Sequence, residues 1–305
     1  MKDNRKVVIA VVGPTAVGKT GAGIRLAEHF HTEVLSADSR QCYQELNIGV
    51  ARPTEPELSA IPHHFIASHS IQEEISAADY ESFALKTAER IFTTHDRLLL
   101  VGGTGLYIRA FVEGLDAIPE VEPAIREQVT SLYAATGLEG LTTELEKLDP
   151  VFARAGEMKN PQRMMRALEV VLSTGNSILS FRSGQPKPRP FTVQWVGLEL
   201  PRAELIDRID RRVDSMMAAG WLEEAKQLYP HRSLNALQTV GYKELFEHIE
   251  GKYSLDQAIE LIKIATRQYA KRQMTWFRRN PSIRWFDPNA LDVMIDYLEG
   301  AAPAS

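Results

Sequence analysis

Two periodicities alternate along the first third of the chain. Val7–Val12 is a short, unbroken apolar run closed by Gly13-Pro14, and its length and β-branched content predict a buried strand. From Lys19 to Phe30 the apolar residues Ile24, Leu26, Ala27 and Phe30 recur at helical spacing. Thr32–Leu35 and Leu98–Val101 read as further strands, the second closed by Gly102-Gly103. Between them, Tyr80, Phe83, Ala84, Ala88 and Ile91 mark a helix over Ala77–Phe92. Strands alternating with helices predict a parallel sheet, with ligands beyond the carboxyl ends of its strands.

From about residue 117 the texture changes. Pro119 and Pro123 punctuate a boundary, and Ala124–Ala135, Leu138–Leu148 and Pro161–Leu172 follow as helices with no strand-like run among them. Ser183–Pro190 is a proline-rich linker, after which Phe191–Leu200 reads as a strand able to rejoin the sheet. The rest is helical: Arg202–Ala219, Leu222–Leu228, Thr239–Ile249 and a long segment, Leu255–Arg279. The expected architecture is α/β, a core of residues 1–117 and 190–305 interrupted by an all-helical insertion at 118–189.

Composition narrows the class. With 305 residues, 44% hydrophobic and 25% charged, the chain can bury a core without staples. The single cysteine, Cys42, excludes a disulfide framework and a Cys-based zinc site and suits packing. Val7–Val12 is far short of the ~20 apolar residues of a membrane helix. Gly13-Pro14 also ends the run too early for a signal-peptide core, so a soluble cytoplasmic protein with no membrane partner is expected.

Charge needs its distribution as well as its total. The net charge of −5 alone argues against a nucleic-acid partner. Yet residues 113–149 hold nine acidic groups against two basic ones, while Lys159–Arg189 holds six basic against one acid, Glu169. Leu261–Arg284 holds seven basic residues and no acid, with Tyr269, Trp276 and Phe277 interleaved. Cations beside aromatic rings suit single-stranded or loop RNA, with Lys271 and Arg272 as candidate contacts. The plainer reading is a solvated basic helix face with its aromatics, Trp276 above all, in the core.

The strongest local signal is Gly13-Pro-Thr15-Ala16-Val17-Gly18-Lys19-Thr20, which fills every fixed position of the phosphate-loop pattern GxxxxGK[ST], also the ATP-binding motif. Backbone N–H groups of such a loop converge on an anion, Lys19 adds a positive charge, and Thr20 can ligate a phosphate-bound Mg²⁺. No acid ends the strand before Gly102-Gly103-Thr104-Gly105, so the usual nucleotide-hydrolysis pattern is missing. The one early strand-end acid is Asp38, either a base facing the loop or a turn former. The glycines at 102–105 read as a positive-φ turn or as a close backbone approach to a ligand.

Taken together, GPTAVGKT (13–20), SADSRQCY (36–43), IPHH (61–64), SAADY (76–80), GGTGLY (102–107), NPQRMMRALEV (160–170), RIDRRVDSMMAAG (208–220), TVGYKE (239–244) and TRQYAKRQMTWFR (266–278) resemble the tRNA dimethylallyltransferases, also called tRNA isopentenyltransferases. The resemblance implies a P-loop-type α/β core with a helical insertion, and transfer of a dimethylallyl group from dimethylallyl diphosphate to N6 of the adenosine 3′ of the anticodon. It implies Mg²⁺ as cofactor and the tRNA anticodon stem-loop as partner, with a monomer expected. On this likeness the catalytic base falls on Asp38, an orienting residue on Thr104 and a basic residue from the insertion on Arg126. The diphosphate falls to Gly13, Thr15, Ala16, Val17, Gly18, Lys19 and Thr20, with an arginine clamp at Arg212 or, second, Arg208. Segments that contact tRNA fall on Asp38, Ser39, Arg40 and Gln41, and on Gln162, Arg163, Met164, Met165 and Arg166. Val17, Cys42 and Arg52 depart from the common pattern without touching Gly13, Gly18, Lys19 or Thr20. An enzyme prenylating free adenylate, a P-loop nucleoside or nucleotide kinase, and a non-catalytic RNA-binding protein are the competing readings.

Overall fold

The computed structural model describes residues 6–155 and 157–300, which form two compact units: residues up to Val112 with those from Pro188 onward, and Glu113–Lys187. The larger unit is built on a six-stranded, all-parallel sheet: β1 (Val7–Val12), β2 (Val34–Ala37), β3 (His63–His64), β4 (Arg97–Gly102), β5 (Thr192–Leu198) and β6 (Arg284–Phe286), in the spatial order β3-β2-β4-β1-β5-β6. Along β1, Val8, Ala10 and Val12 enter one core while Ile9 and Val11 enter the core on the other face. Leu98 and Leu100 of β4 alternate with Leu99 and Val101 in the same way. Both faces are buried, which is why these strands are continuous apolar runs rather than alternating ones.

Helices α1 (Lys19–His29), α2 (Glu55–Ala60), α3 (Ala77–Ile91) and α4 (Gly105–Glu113) follow the first strands. The smaller unit holds α5 (Pro123–Leu148), α6 (Pro150–Arg154) and α7 (Pro161–Thr174). The larger unit then resumes with α8 (Arg202–Ala218), α9 (Trp221–Leu228), α10 (Tyr242–Ile249), α11 (Leu255–Phe277) and α12 (Leu291–Glu299). Among the described residues no helix is long and apolar enough to cross a membrane.

The segment at 191–200 does rejoin the sheet, pairing with β1 from Val7↔Thr192 to Val12↔Gly197. The two helices expected at 124–135 and 138–148 form one element interrupted at Gly137, whose φ of 63° and ψ of −151° are not helical. The helical unit spans 113–187 where the sequence pattern gave 118–189. Its core gathers Val129, Leu141, Leu145, Phe152, Met164, Leu168 and Val171.

Parallel register brings three strand ends together. Val12 of β1 and Ala37 of β2 both lie beside Gly102 of β4. The loops that leave these strands, beginning at Gly13, Asp38 and Gly103, therefore open side by side at one edge of the sheet.

Candidate active site

The phosphate loop leaves β1 at Gly13, whose φ of 149° suits glycine and whose Cβ, if present, would stand 2.6 Å from the Leu198 carbonyl oxygen. Ala16 sits at φ 65°, a left-handed conformation that costs a non-glycine residue roughly 1 kcal/mol or more. Val17 is fully buried in the core, so only its backbone is left for the loop. Lys19 turns its ammonium back to donate to the carbonyls of Gly13 (3.1 Å) and Pro14 (2.7 Å). Burial lowers its pKa to about 7, Asp38 opposes that fall, and the Arg212 guanidinium adds to it.

Asp38 forms a turn and also faces the cleft. Its Oδ1 accepts hydrogen bonds from the backbone N–H groups of Arg40 (2.9 Å) and Gln41 (3.2 Å), so it does shape the turn. The same residue lines the cleft beside Lys19 and Arg212. Thr104 Oγ1 accepts from the Ser39 N–H at 3.0 Å and donates to the Ser39 hydroxyl, with the Tyr269 hydroxyl beside it. Burial, with Asp38 near, pushes the Tyr269 phenol up to about 12, which leaves it a neutral hydroxyl. Gln41 donates to the carbonyls of Val50 and Ala51, and Arg40 to that of Asn235. Cys42 is buried and its thiol is pushed up to about 12, in keeping with a packing role.

The glycines at 102–105 are not there for a positive-φ turn. None has a positive φ. Instead a Cβ on Gly102 would fall 2.3 Å from the Ala37 oxygen, on Gly103 2.2 Å from Gln273 Nε2, and on Gly105 2.2 Å from the Trp276 indole nitrogen. Neighbouring parts of the protein crowd this turn, and Gly102 also lines the cleft described next.

Two clefts meet here. One of about 720 Å³ is lined by Thr15, Lys19, Thr20, Arg208, Arg211 and Arg212 among others. The second, about 470 Å³, is lined by Arg40, Val50, Met216, Trp221, Lys243 and Arg272 among others. Thr15, Asp38, Arg212 and Tyr269 belong to both. The two arginine candidates differ in their commitments: Arg208 pairs with Glu204 at 3.0 Å, whereas Arg212 forms no ion pair among the described residues and is drawn electrostatically to Asp38. A hydroxyl at Thr20 and a carboxylate at Asp38 are hard oxygen donors of the kind Mg²⁺ prefers. Among the described residues no group of three or more His, Cys, Asp or Glu is placed to hold a metal ion, so such an ion would draw most of its ligands from phosphate and water.

The cations of Leu261–Arg284 divide into two sets. Lys263 pairs with Asp214 (2.8 Å), Arg267 with Asp210, and Arg278 with Glu199 (2.9 Å). Lys271, Arg272, Arg279 and Arg284 are exposed and, among the described residues, form no ion pair, Arg284 lying over the Phe286 and Tyr297 rings. Trp276 is partly buried and packs against the core. In the helical unit, Arg126, Gln162 and Arg163 are exposed, Arg163 on an ion pair with Glu157. Arg166 pairs with Glu169 and donates to the Pro119 carbonyl, with Met165 partly buried near it. Met164 is a correction: it is fully buried in that unit's core and has no surface to offer RNA.

Two residues went unnoticed in the sequence. Gln273 of α11 is 6% exposed; its Oε1 accepts from the Thr15 N–H at 2.8 Å and its Nε2 donates to the Gly103 oxygen at 3.0 Å. A glutamine on the same helix face as Ala270 and Phe277 is a buried polar group in need of partners, and that was the available clue. Glu224 of α9 accepts from the N–H groups of Asn47, Ile48 and Gly49 and from the Tyr242 hydroxyl, which fixes the loop carrying Val50.

Comparison with known proteins agrees with this geometry. Residues 41–280 match the family model described as IPP transferase. The tRNA dimethylallyltransferase 1 of Bacteroides fragilis is 45% identical over 296 residues, covering 97% of this chain and 98% of its own. The tRNA dimethylallyltransferase of Cytophaga hutchinsonii is 44% identical over 294 residues, covering 96% and 97%. Among solved structures, the full-length tRNA isopentenylpyrophosphate transferase of Bacillus halodurans superposes with a TM-score of 0.73 at 34% identity over 97% of each chain. A eukaryotic dimethylallyltransferase acting on tRNA gives 0.80 at 27% identity, over 97% of this chain and 80% of its own.

Proposed function

The chain belongs to the IPP transferase family, with tRNA dimethylallyltransferases as its relatives, and from that premise we propose that it transfers a dimethylallyl group from dimethylallyl diphosphate to N6 of the adenosine 3′ of the tRNA anticodon. The observation that carries the reading is the pair of clefts joined at Asp38 and Arg212. One offers cations and loop amides to a diphosphate; the other offers a partly apolar chamber rimmed by Arg40, Lys243 and Arg272 to a base that has left its stack.

The chemistry follows from the groups at the junction. Adenine N6 is a weak nucleophile, because its lone pair is delocalised into the ring. As N6 bonds to C1 of the allyl group, the C1–O bond to diphosphate breaks and N6 loses a proton. Asp38, with Oδ1 held by two backbone N–H groups, takes that proton on its carboxylate. Lys19, Arg212 and the loop amides meet the charge that builds on the departing diphosphate. The Thr20 hydroxyl would hold Mg²⁺ alongside the diphosphate, and the ion would supply further neutralisation of the leaving charge.

Incubation with labelled dimethylallyl diphosphate, Mg²⁺ and either unmodified tRNA or AMP is expected to label tRNA alone. Label in AMP and not in tRNA would mark a free-adenylate prenyltransferase. ATP-dependent phosphorylation without prenyl transfer would mark a kinase.

A further inference from the structure

Helix α11 meets the Gly103–Gly105 turn with residues four and three positions apart. The Tyr269 hydroxyl lies beside Thr104, Gln273 donates to the Gly103 oxygen, and the Trp276 indole stands where a side chain on Gly105 would be. Such a spacing, i, i+4, i+7, is one face of one helix. Of the three, only Gln273 reaches onward to the phosphate loop, where its Oε1 takes the Thr15 N–H. Its amide therefore spans the loops that leave β1 and β4, with both ends used and little access to water. Residues 271 and 272, the exposed cations, directly precede it on the same helix.

We infer that Gln273 is a positioning residue for the diphosphate site: it holds the first turn of the phosphate loop in its anion-binding shape, and it makes that shape depend on where α11 sits. The amide is suited to this because it accepts and donates at once. A glutamate could accept from Thr15 but not donate to Gly103, and a leucine could do neither. The Gly103 clash closes the argument from the other side, since a Cβ there, 2.2 Å from Nε2, displaces the same amide. The inference rests on the reading of this loop as the diphosphate site.

The test is calorimetric titration of inorganic diphosphate with Mg²⁺ into wild type, Gln273→Leu and Gln273→Glu, with steady-state kinetics and thermal melts of each. Loss of the two hydrogen bonds is expected to weaken diphosphate binding by roughly tenfold or more in Gln273→Leu. KM for dimethylallyl diphosphate should rise with it, while KM for tRNA stays within about twofold. Gln273→Glu should bind diphosphate no better, because it brings a negative charge to an anion site. Gly103→Ala should reproduce the loss, and adding Gln273→Ala should not restore binding, because the methyl then has room but the amide is gone; recovery in the double variant would overturn the inference, and this pair keeps the test open if Gln273→Leu fails to fold. Lowered melting with wild-type diphosphate affinity and KM in Gln273→Leu would overturn the inference and leave a structural residue. Wild type that binds no diphosphate would instead overturn the reading of the loop.

Discussion

Diphosphate binding should draw a proton onto the enzyme, and Lys19 is the group that takes it. Burial lowers the Lys19 pKa from 10.5 to about 7, a penalty of at most about 5 kcal/mol against its charged form. An anion in the loop restores the ammonium. At pH 8 Lys19 is then only about one-tenth protonated before binding and fully so after, an uptake of about 0.9 proton; at pH 6 the uptake falls to about 0.1. Because the charged form binds, intrinsic affinity should weaken roughly tenfold between pH 6 and pH 8, about 1.4 kcal/mol. The stability of the empty protein moves the opposite way. A lysine with a depressed folded pKa costs stability fully below pH 7, and that cost is relieved as pH rises from about 7 to 10.5, where the unfolded chain holds more protons. Titrating diphosphate in buffers of different ionisation enthalpy counts the protons. Protons shed by the ligand act in the opposite direction, and Lys19→Met, titrated at higher ligand concentration, isolates them. Equal proton counts for wild type and Lys19→Met at pH 8 would refute the reasoning.

Asp38→Asn should lower turnover by 10²-fold or more, the usual scale for losing a general base, with tRNA affinity changed by less than about threefold; rates from single-turnover labelling decide it. Lys271→Ala with Arg272→Ala should weaken tRNA binding and reduce the slope of log affinity against log salt by roughly 0.7 per lost phosphate contact, read by filter binding across salt concentrations. Met164→Ala should destabilise the helical unit by about 2–5 kcal/mol in urea unfolding, while Met164→Leu leaves both stability and tRNA affinity nearly unchanged, as a buried side chain requires. Glu224→Gln should cost about 1–3 kcal/mol by leaving backbone donors of the 47–49 loop without their charged acceptor, measured by the same unfolding.

The parts of the site written in contiguous residues were legible. A glycine-flanked loop between a buried strand and a helix carries its geometry in eight positions, and Asp38 could be placed because a strand ends beside it. The strands β3 and β6 were not legible, with two and three residues and no periodicity of their own; only pairing with β2 and β5 makes them strands. Gln273 was invisible for a related reason, since its partners lie 258 and 170 residues away in sequence. The positive-φ reading of the glycines at 102–105 failed because a glycine required by a neighbour's backbone or side chain looks, in sequence, like one required by φ. Met164 was misplaced by following a motif where periodicity pointed elsewhere: Met164, Ala167, Leu168 and Val171 form an apolar stripe.

The basic run at 261–284 shows how a net charge of −5 is compatible with a polyanionic partner. Three of its seven cations are spent inside the protein, two of them on Asp210 and Asp214 of α8, the helix that also carries Arg212. Partly exposed pairs of this kind are worth only about 0–1 kcal/mol each, so they add little stability, but they tie α11 to α8, the helix that carries Arg212. The set with no ion pair among the described residues, Lys271, Arg272, Arg279 and Arg284, is what an approaching phosphate feels. At about 0.1 M salt, charges beyond roughly 10 Å are screened, so the acidic stretch of the helical unit enters a bound nucleotide's energy only where it lies within that distance. The total charge sums over lengths that the solvent has already cut, and the seven cations sum over two jobs. Substituting Lys263 or Arg267 should therefore perturb diphosphate handling through α8, whereas substituting Lys271 or Arg272 should change the salt dependence of RNA binding.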